Sequence, residues 1–275
     1  MNGAQGRILW QVRNRVGHIV LNRPEAANAL DSASGAALVE AITQAVRAAQ
    51  EGSIGAVLLT ANGPQFCAGG DIQEFVARRA DLDRLVDAML AQMHPVIHAL
   101  ATLPVPVVSG LQGPIGGAGI ALALAADIVL AAPAMKLRGG YSAIGLSPDL
   151  GASWQLARRA GAARAKYILM TNRAISAEQC LAWGIVDELH SAQDLLPAAQ
   201  ALSEALAHGA TQALAGIKRL CDGADTTDLQ THLVLERQAL VRAAQSADGR
   251  EGVTAFIEKR APVFTARGLD SSKGS

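Results

Sequence analysis

The sequence has no net charge: 24 basic side chains face 24 acidic ones, and no long run of Lys or Arg occurs. Phosphate-backbone binding needs a basic footprint, so a nucleic-acid partner is not expected. Cysteine is scarce. Cys67, Cys180 and Cys221 are odd in number and lack metal-type spacing, which excludes a disulfide framework and suits a reducing cytoplasm. The opening MNGAQGRILWQVRNRVGHIV lacks the basic start, apolar run and small-residue cleavage site of a secretory leader, so it is expected to belong to the mature fold. Val105 to Ala126 is uncharged and long enough to span a membrane. Pro106, Pro114 and five glycines within it, with Asp127 next, instead predict strand, tight loop and buried helix, and no membrane partner.

Half of the 275 residues are apolar, which excludes disorder and provides one large core with an appended lobe. β-rich runs at Ile8 to Val12 and His18 to Asn22 predict a hairpin. Asp31 caps a helical pattern over residues 32–50 with Leu38, Ile42 and Val46 on one face. Further strands are expected at 56–60, 105–109, 128–131 and 185–188, alternating with helices, so the first part of the chain is α/β. After Ser191 the segments 192–207, 210–221, 226–246 and 249–260 read as helices. The expected organisation is a core over 1–190, a helical lobe over 191–265 and a frayed tail over 266–275.

Two glycine-rich turns stand out. Phe66-Cys67-Ala68-Gly69-Gly70-Asp71 follows a strand and precedes a helical run, which concentrates free backbone N–H groups at the turn. Gly113-Pro114-Ile115-Gly116-Gly117-Ala118-Gly119 precedes an apolar helix expected at Ile120 to Ala126. Small residues admit a ligand to the backbone, and a helix start favours negative charge. Facing each other, the turns would form an oxyanion hole; separately, each is an ordinary strand-to-helix connection. Neither has the spacing of a phosphate or dinucleotide loop.

With these turns in place, six collinear segments resemble the crotonase, or enoyl-CoA hydratase/isomerase, superfamily. They are Leu21-Asn22-Arg23-Pro24 with Asn28-Ala29-Leu30; Phe66 to Asp71; Pro106 to Asp127; Gly145 to Ser153; Ile175 to Glu178 with Trp183 to Val186; and Phe256 to Arg260. The resemblance implies an α/β fold, a crotonase-like spiral of ββα units with a helical C-terminal trimerisation lobe. It also implies an acyl-CoA substrate, no cofactor beyond the CoA moiety, and a homotrimer or a dimer of trimers. The thioester oxygen would be held by the N–H groups of Ala68 and Ala118. CoA itself would lie along Arg23, Ala27, Ala68, Gly70, Asp71, Ile72 and Gly117, with Phe256 and Lys259 near the nucleotide.

Hydratases of the family position water with two glutamates, and the matching residues here are Ala121 and Tyr141. Neither supplies a carboxylate, so conventional hydration is not expected. The replacement is Asp149 in Gly145-Leu146-Ser147-Pro148-Asp149-Leu150-Gly151, where isomerase-type members carry an acid. An Asp after Ser-Pro ahead of a helix also fits a cap. Set against apolar Leu150 and Trp154, its carboxyl is expected to have a raised pKa and to shuttle one proton between carbons. Tyr141 fills the pocket or donates to Asp149. His94 and His98 lie four apart across Pro95, which disfavours a continuous helix at His94; two histidines alone make a weak metal signal. The chain also resembles the 4-chlorobenzoyl-CoA dehalogenase branch, with Asp149 as nucleophile and His94 as base, although Ala68 and Met93 stand where that branch has aromatics. A silent CoA-binding homologue is the third reading.

Overall fold

The computed structural model describes residues 6–265, so the expected tail over 266–275 lies outside the described residues. In chain order the elements are β1 (Ile8–Arg13), β2 (Val16–Leu21), α1 (Ser32–Gln50), β3 (Ala56–Ala61), α2 (Ile72–Ala77), α3 (Leu82–Ala101), β4 (Val107–Leu111), β5 (Ile115–Gly116), α4 (Ala118–Leu124), β6 (Ile128–Ala131), β7 (Lys136–Arg138), α5 (Ala152–Ala160), α6 (Ala162–Thr171), β8 (Ile175–Ser176), α7 (Ala177–Ala182), β9 (Glu188–Leu189), α8 (Leu195–Ala207), α9 (Thr211–Gly223), α10 (Leu229–Gln245) and α11 (Ala247–Glu258). One sheet runs β1-β2-β3-β4-β6-β9, antiparallel only between β1 and β2; a smaller one runs β5-β7-β8.

The expected hairpin turns at Asn14 and Arg15, both at positive φ. Asn tolerates that region; Arg15 is held there by its guanidinium, which donates to the Ala207 and Gly52 carbonyls at 3.2 and 3.1 Å. Asp31 caps α1 by accepting from the Ser34 N–H at 2.7 Å.

Parallel strands covered on both faces are apolar throughout. Val57, Leu59, Val107 and Val129 point into one buried cluster with Leu38, Ile42 and Leu100; Ala56, Leu58, Val108 and Leu130 point into another with Leu195, Ala199 and Ala207. The second cluster belongs to α8. That helix therefore covers the sheet, and the change to an all-helical pattern at Ser191 is not where the sheet's packing ends. α9 follows, and α10 and α11 pack on one another.

β2 starts two residues earlier than expected, at Val16, and the short strands β5, β7 and β8 add to those expected; two further shifts have a clear cause. β4 starts two residues late because Pro106 has no N–H to donate; its carbonyl accepts from Val57 instead. Ile185 and Val186 turn back onto the Cys180 carbonyl, so β9 forms only at Glu188–Leu189.

Candidate active site

The two glycine turns meet. Cys67 bridges Ile115 in parallel register, and the Gly116 N–H donates to the Cys67 carbonyl at 3.0 Å. Gly69 sits at φ 106°, and a Cβ there would stand 2.9 Å from the Gly116 oxygen, so only glycine permits this approach. Ala118 opens α4, two residues earlier than expected, because Gly117 at φ 49° turns the chain into the helix. A first helical residue has no intrahelical acceptor for its N–H, and among the described residues no other carbonyl takes it.

The Ala68 amide is different. It donates to the Ala27 carbonyl at 3.0 Å, so the expectation of two free donors needs correcting: one is free and one is committed. The cause is local. Ala27 and Asn28 lie in the left-handed region at φ 54° and 53°. Asn28 is locked there, its side chain accepting from the Arg23 N–H at 2.7 Å and donating to the Asn62 and Gln65 carbonyls at 2.9 Å each.

Above the turns lies a cleft of about 530 Å³. Ala68, Gly117 and Ala118 form its floor. Ile72 and Phe75 of α2 with Met89, Leu90 and Met93 of α3 make one wall, and Tyr141, Ile144, Leu146 and Asp149 make the other. Asp149 is half-buried and faces inward. Its Oδ1 accepts from the Tyr141 hydroxyl at 2.7 Å. Burial in this apolar wall raises the Asp149 pKa; the Tyr141 bond, its own N–H and the charge of His94 oppose that with smaller effects. Burial and the adjacent carboxylate push the Tyr141 phenol up, so it serves as donor. Burial also raises the Cys67 thiol to about 12, which keeps it a neutral neighbour.

The capping alternative for Asp149 is not what forms. α5 starts at Ala152 behind Gly151 at φ 89°, with no side chain capping it. Leu150 is also left-handed, at φ 47°. Consecutive left-handed residues turn the chain sharply enough to leave Asp149 in the cleft, and such strain concentrates at functional sites.

Other expected contacts fall elsewhere. Trp154 is 56% exposed and stacks under Arg158, 4.7 Å from ring centre to guanidinium, so Asp149 has no Trp154 wall. Arg23 is spent on Asp71 at 2.7 Å and Asp31 at 3.2 Å, while Asp71 also caps α2; their side chains brace the loops that frame the cleft. Gly70 and Ile72 line the cleft. Phe256 is 85% exposed on α11 and Lys259 ends that helix, and neither lines the cleft. α3 runs unbroken through Pro95, and His94 and His98 are exposed, with His94 off the cleft lining. Ala121 is fully buried within α4.

A family model described as enoyl-CoA hydratase/isomerase matches residues 11–267. The chain belongs to the enoyl-CoA hydratase/isomerase family. It is 38% identical over 264 residues to the 1,2-epoxyphenylacetyl-CoA isomerase of Escherichia coli K12, covering 94% of this chain and 98% of the relative. It is 31% identical to the trans-2-decenoyl-[acyl-carrier-protein] isomerase of Streptococcus mutans over 94% of this chain and 98% of that one. A solved enoyl-CoA hydratase from Polaromonas sp. JS666 superposes at a TM-score of 0.88 with 36% identity, covering 94% of this chain and all of that one. The α/β crotonase architecture and the helical C-terminal region are therefore those of the family. Among the described residues no helix is long and apolar enough to cross a membrane.

In this member of the enoyl-CoA hydratase/isomerase family, sequence reasoning reached Ile72 and Met93 but missed Phe75, Val86, Met89 and Leu90, the rest of the α2–α3 wall. Phe75 adds an aromatic to a pocket that reads as nearly devoid of them, and its ring lies close against Gly70. The signal was present: Val86, Met89 or Leu90, and Met93 recur at helical spacing and line one stripe of α3.

Proposed function

We propose that the protein is an acyl-CoA isomerase that moves a double bond of an enoyl thioester from β,γ to α,β, with Asp149 as the proton shuttle. The Asp149 carboxylate removes a proton from the α carbon. The C–H electron pair forms a double bond between the α carbon and the thioester carbon as the carbonyl π pair moves onto the oxygen, giving a dienolate that still holds the β,γ double bond. The Ala118 N–H, and the Ala68 N–H shared with or released by Ala27, stabilise that oxygen. The protonated Asp149 then returns the proton to the γ carbon, where the β,γ pair takes it up, as the pair between the thioester and α carbons becomes the α,β double bond and the oxygen's pair restores the carbonyl. No metal or redox group takes part in this sequence, and the only cofactor portion is the CoA of the substrate.

The observation that carries the reading is Asp149, the one carboxylate lining the cleft among the described residues, hydrogen-bonded to Tyr141. A raised pKa suits an acid/base that must both take and return a proton. The buried methyl of Ala121 leaves no second carboxylate to position water. Two relatives that bear the name isomerase add support. The decisive experiment compares wild type and Asp149→Asn on β,γ-enoyl thioesters: a loss of about a hundred- to ten-thousand-fold is expected, equal rates would remove Asp149, and no turnover by wild type on a broad acyl panel would favour a silent homologue.

The C-terminal helices are proposed to mediate homo-oligomerisation. α10 has no buried residue, and Leu229, Leu240, Phe256 and Ile257 are each at least 72% exposed, an apolar surface of the kind that partners cover.

A further inference from the structure

The Gly139–Gly140 link between β7 and the turn that carries Tyr141 is tied down from two sides. On the cleft side, the Gly139 carbonyl accepts from the Gly117 N–H at 3.1 Å, fixing the peptide just before Ala118. On the far side stands Asn172, which ends α6 and does not line the cleft. Its Oδ1 accepts from the Gly140 N–H at 2.7 Å, and its main-chain carbonyl accepts from Arg138 Nε at 3.0 Å. Gly140 is at φ 84°, a conformation open to glycine, and it directly precedes the 3₁₀ turn Tyr141–Ile144. A glycine in that region is held only by its bonds. The Gly140–Asn172 bond therefore decides the direction in which the chain enters the Tyr141 turn, and the Tyr141 hydroxyl in turn holds Asp149.

We propose that Asn172 is a positioning residue: its side-chain carbonyl fixes Gly140, and through Gly140 it aims the Tyr141–Asp149 pair and steadies the turn that presents the Ala118 N–H. The inference rests on the reading of Asp149 as the base. Asn172 is well placed for the task. It adopts the left-handed conformation at φ 53°, which Asn tolerates, with its own N–H bonded to the Ile168 carbonyl at 3.1 Å. The titratable and charged groups around Asp149 are Tyr141 beside it, Cys67 on the turn after β3, Arg138 at the end of β7 in the cleft lining, and His94 on α3, outside that lining. None of them lies on α6, so Asn172 acts through geometry.

Asn172→Gly keeps the left-handed conformation and the main-chain carbonyl and removes the side chain that carries the Oδ1 acceptor. Misplacement of a catalytic group by about 1 Å costs up to roughly a hundredfold. The variant is expected to lose about tenfold or more in kcat with KM little changed, and to shift the acid limb of its pH profile to higher pH. Asn172→Asp, which restores an acceptor of the same shape, is expected to recover both. A carboxyl-carbon NMR titration of Asp149, assigned by its loss in Asp149→Asn, reads the same shift without turnover. It separates the two hypotheses: a shifted titration in Asn172→Gly with no isomerase activity in wild type would retain the positioning role and sink the reaction. Wild-type kcat and wild-type Asp149 titration in Asn172→Gly would overturn the proposal, as would Asn172→Asp failing as badly as Asn172→Gly.

Discussion

The Ala68 N–H donates to the Ala27 carbonyl across 3.0 Å, whereas Ala118 lines the cleft and, among the described residues, no carbonyl takes its N–H. The two donors are thus unequal before substrate arrives, and Ala118 is expected to carry the larger share of initial binding to the oxyanion. Ala118 is a first helical residue, where proline is tolerated because no helical bond is lost. Ala118→Pro should therefore fold with a near-wild-type Tm while kcat falls about a hundred- to a thousand-fold, about 2.7–4 kcal/mol. Retained activity would place the oxyanion elsewhere.

Tyr141→Phe removes the hydroxyl that donates to the ionised form of Asp149. That bond lowers a pKa which burial has raised, so without it the pKa rises further. The acid limb of kcat/KM is expected to move to higher pH, with the sharpest loss of activity on the acid side. A limb that stays put, or moves down, would show that Tyr141 does not act on the carboxylate.

Asp149 should cost stability. A carboxyl with a folded pKa above its unfolded one leaves stability untouched below the unfolded value and reduces it as pH rises through the window up to the folded value. Asn at this position keeps an acceptor for Tyr141 and carries no charge. Asp149→Asn should therefore melt higher than wild type at neutral pH and match it at acid pH. Denaturation curves across pH test both halves of that statement.

The regular elements were largely legible in the sequence because local rules fix them: Asp31 caps α1, and a paired run of β-rich segments gives the hairpin. The joined turns were legible as well, since small residues at Gly69 and Gly116 to Gly119 leave few other uses for so much exposed backbone. What was not legible depends on chain segments far apart. Nothing local tells that Ala27 will reach the Ala68 amide, that Trp154 will turn away from Asp149, or that α8 will close over β3 and β4. Proline at position 95 suggests a break, yet α3 passes through it, because Leu85, Met93, Val96, Ile97 and Leu100 bury the same stripe on both sides.

A second, half-buried carboxylate tests the core. Lys218 Nζ pairs with Asp127 Oδ2 at 2.9 Å, joining α9 to the start of β6, and the Val107 N–H donates to the same oxygen at 2.8 Å. Burial raises the Asp127 pKa despite the lysine. Lys218→Met strands the charge and should cost about 3 kcal/mol by chemical denaturation at neutral pH. Adding Asp127→Asn should restore most of the loss; an additive penalty would show that the pair is not coupled.

Hydrogen exchange at the α carbon reports the proposed first step without requiring a complete reaction. With a saturated acyl-CoA in deuterated water, wild type is predicted to exchange its α-hydrogens for deuterium and Asp149→Asn to leave them in place, as followed by proton NMR. Exchange at the same rate in both proteins would contradict the assignment of Asp149 as the base.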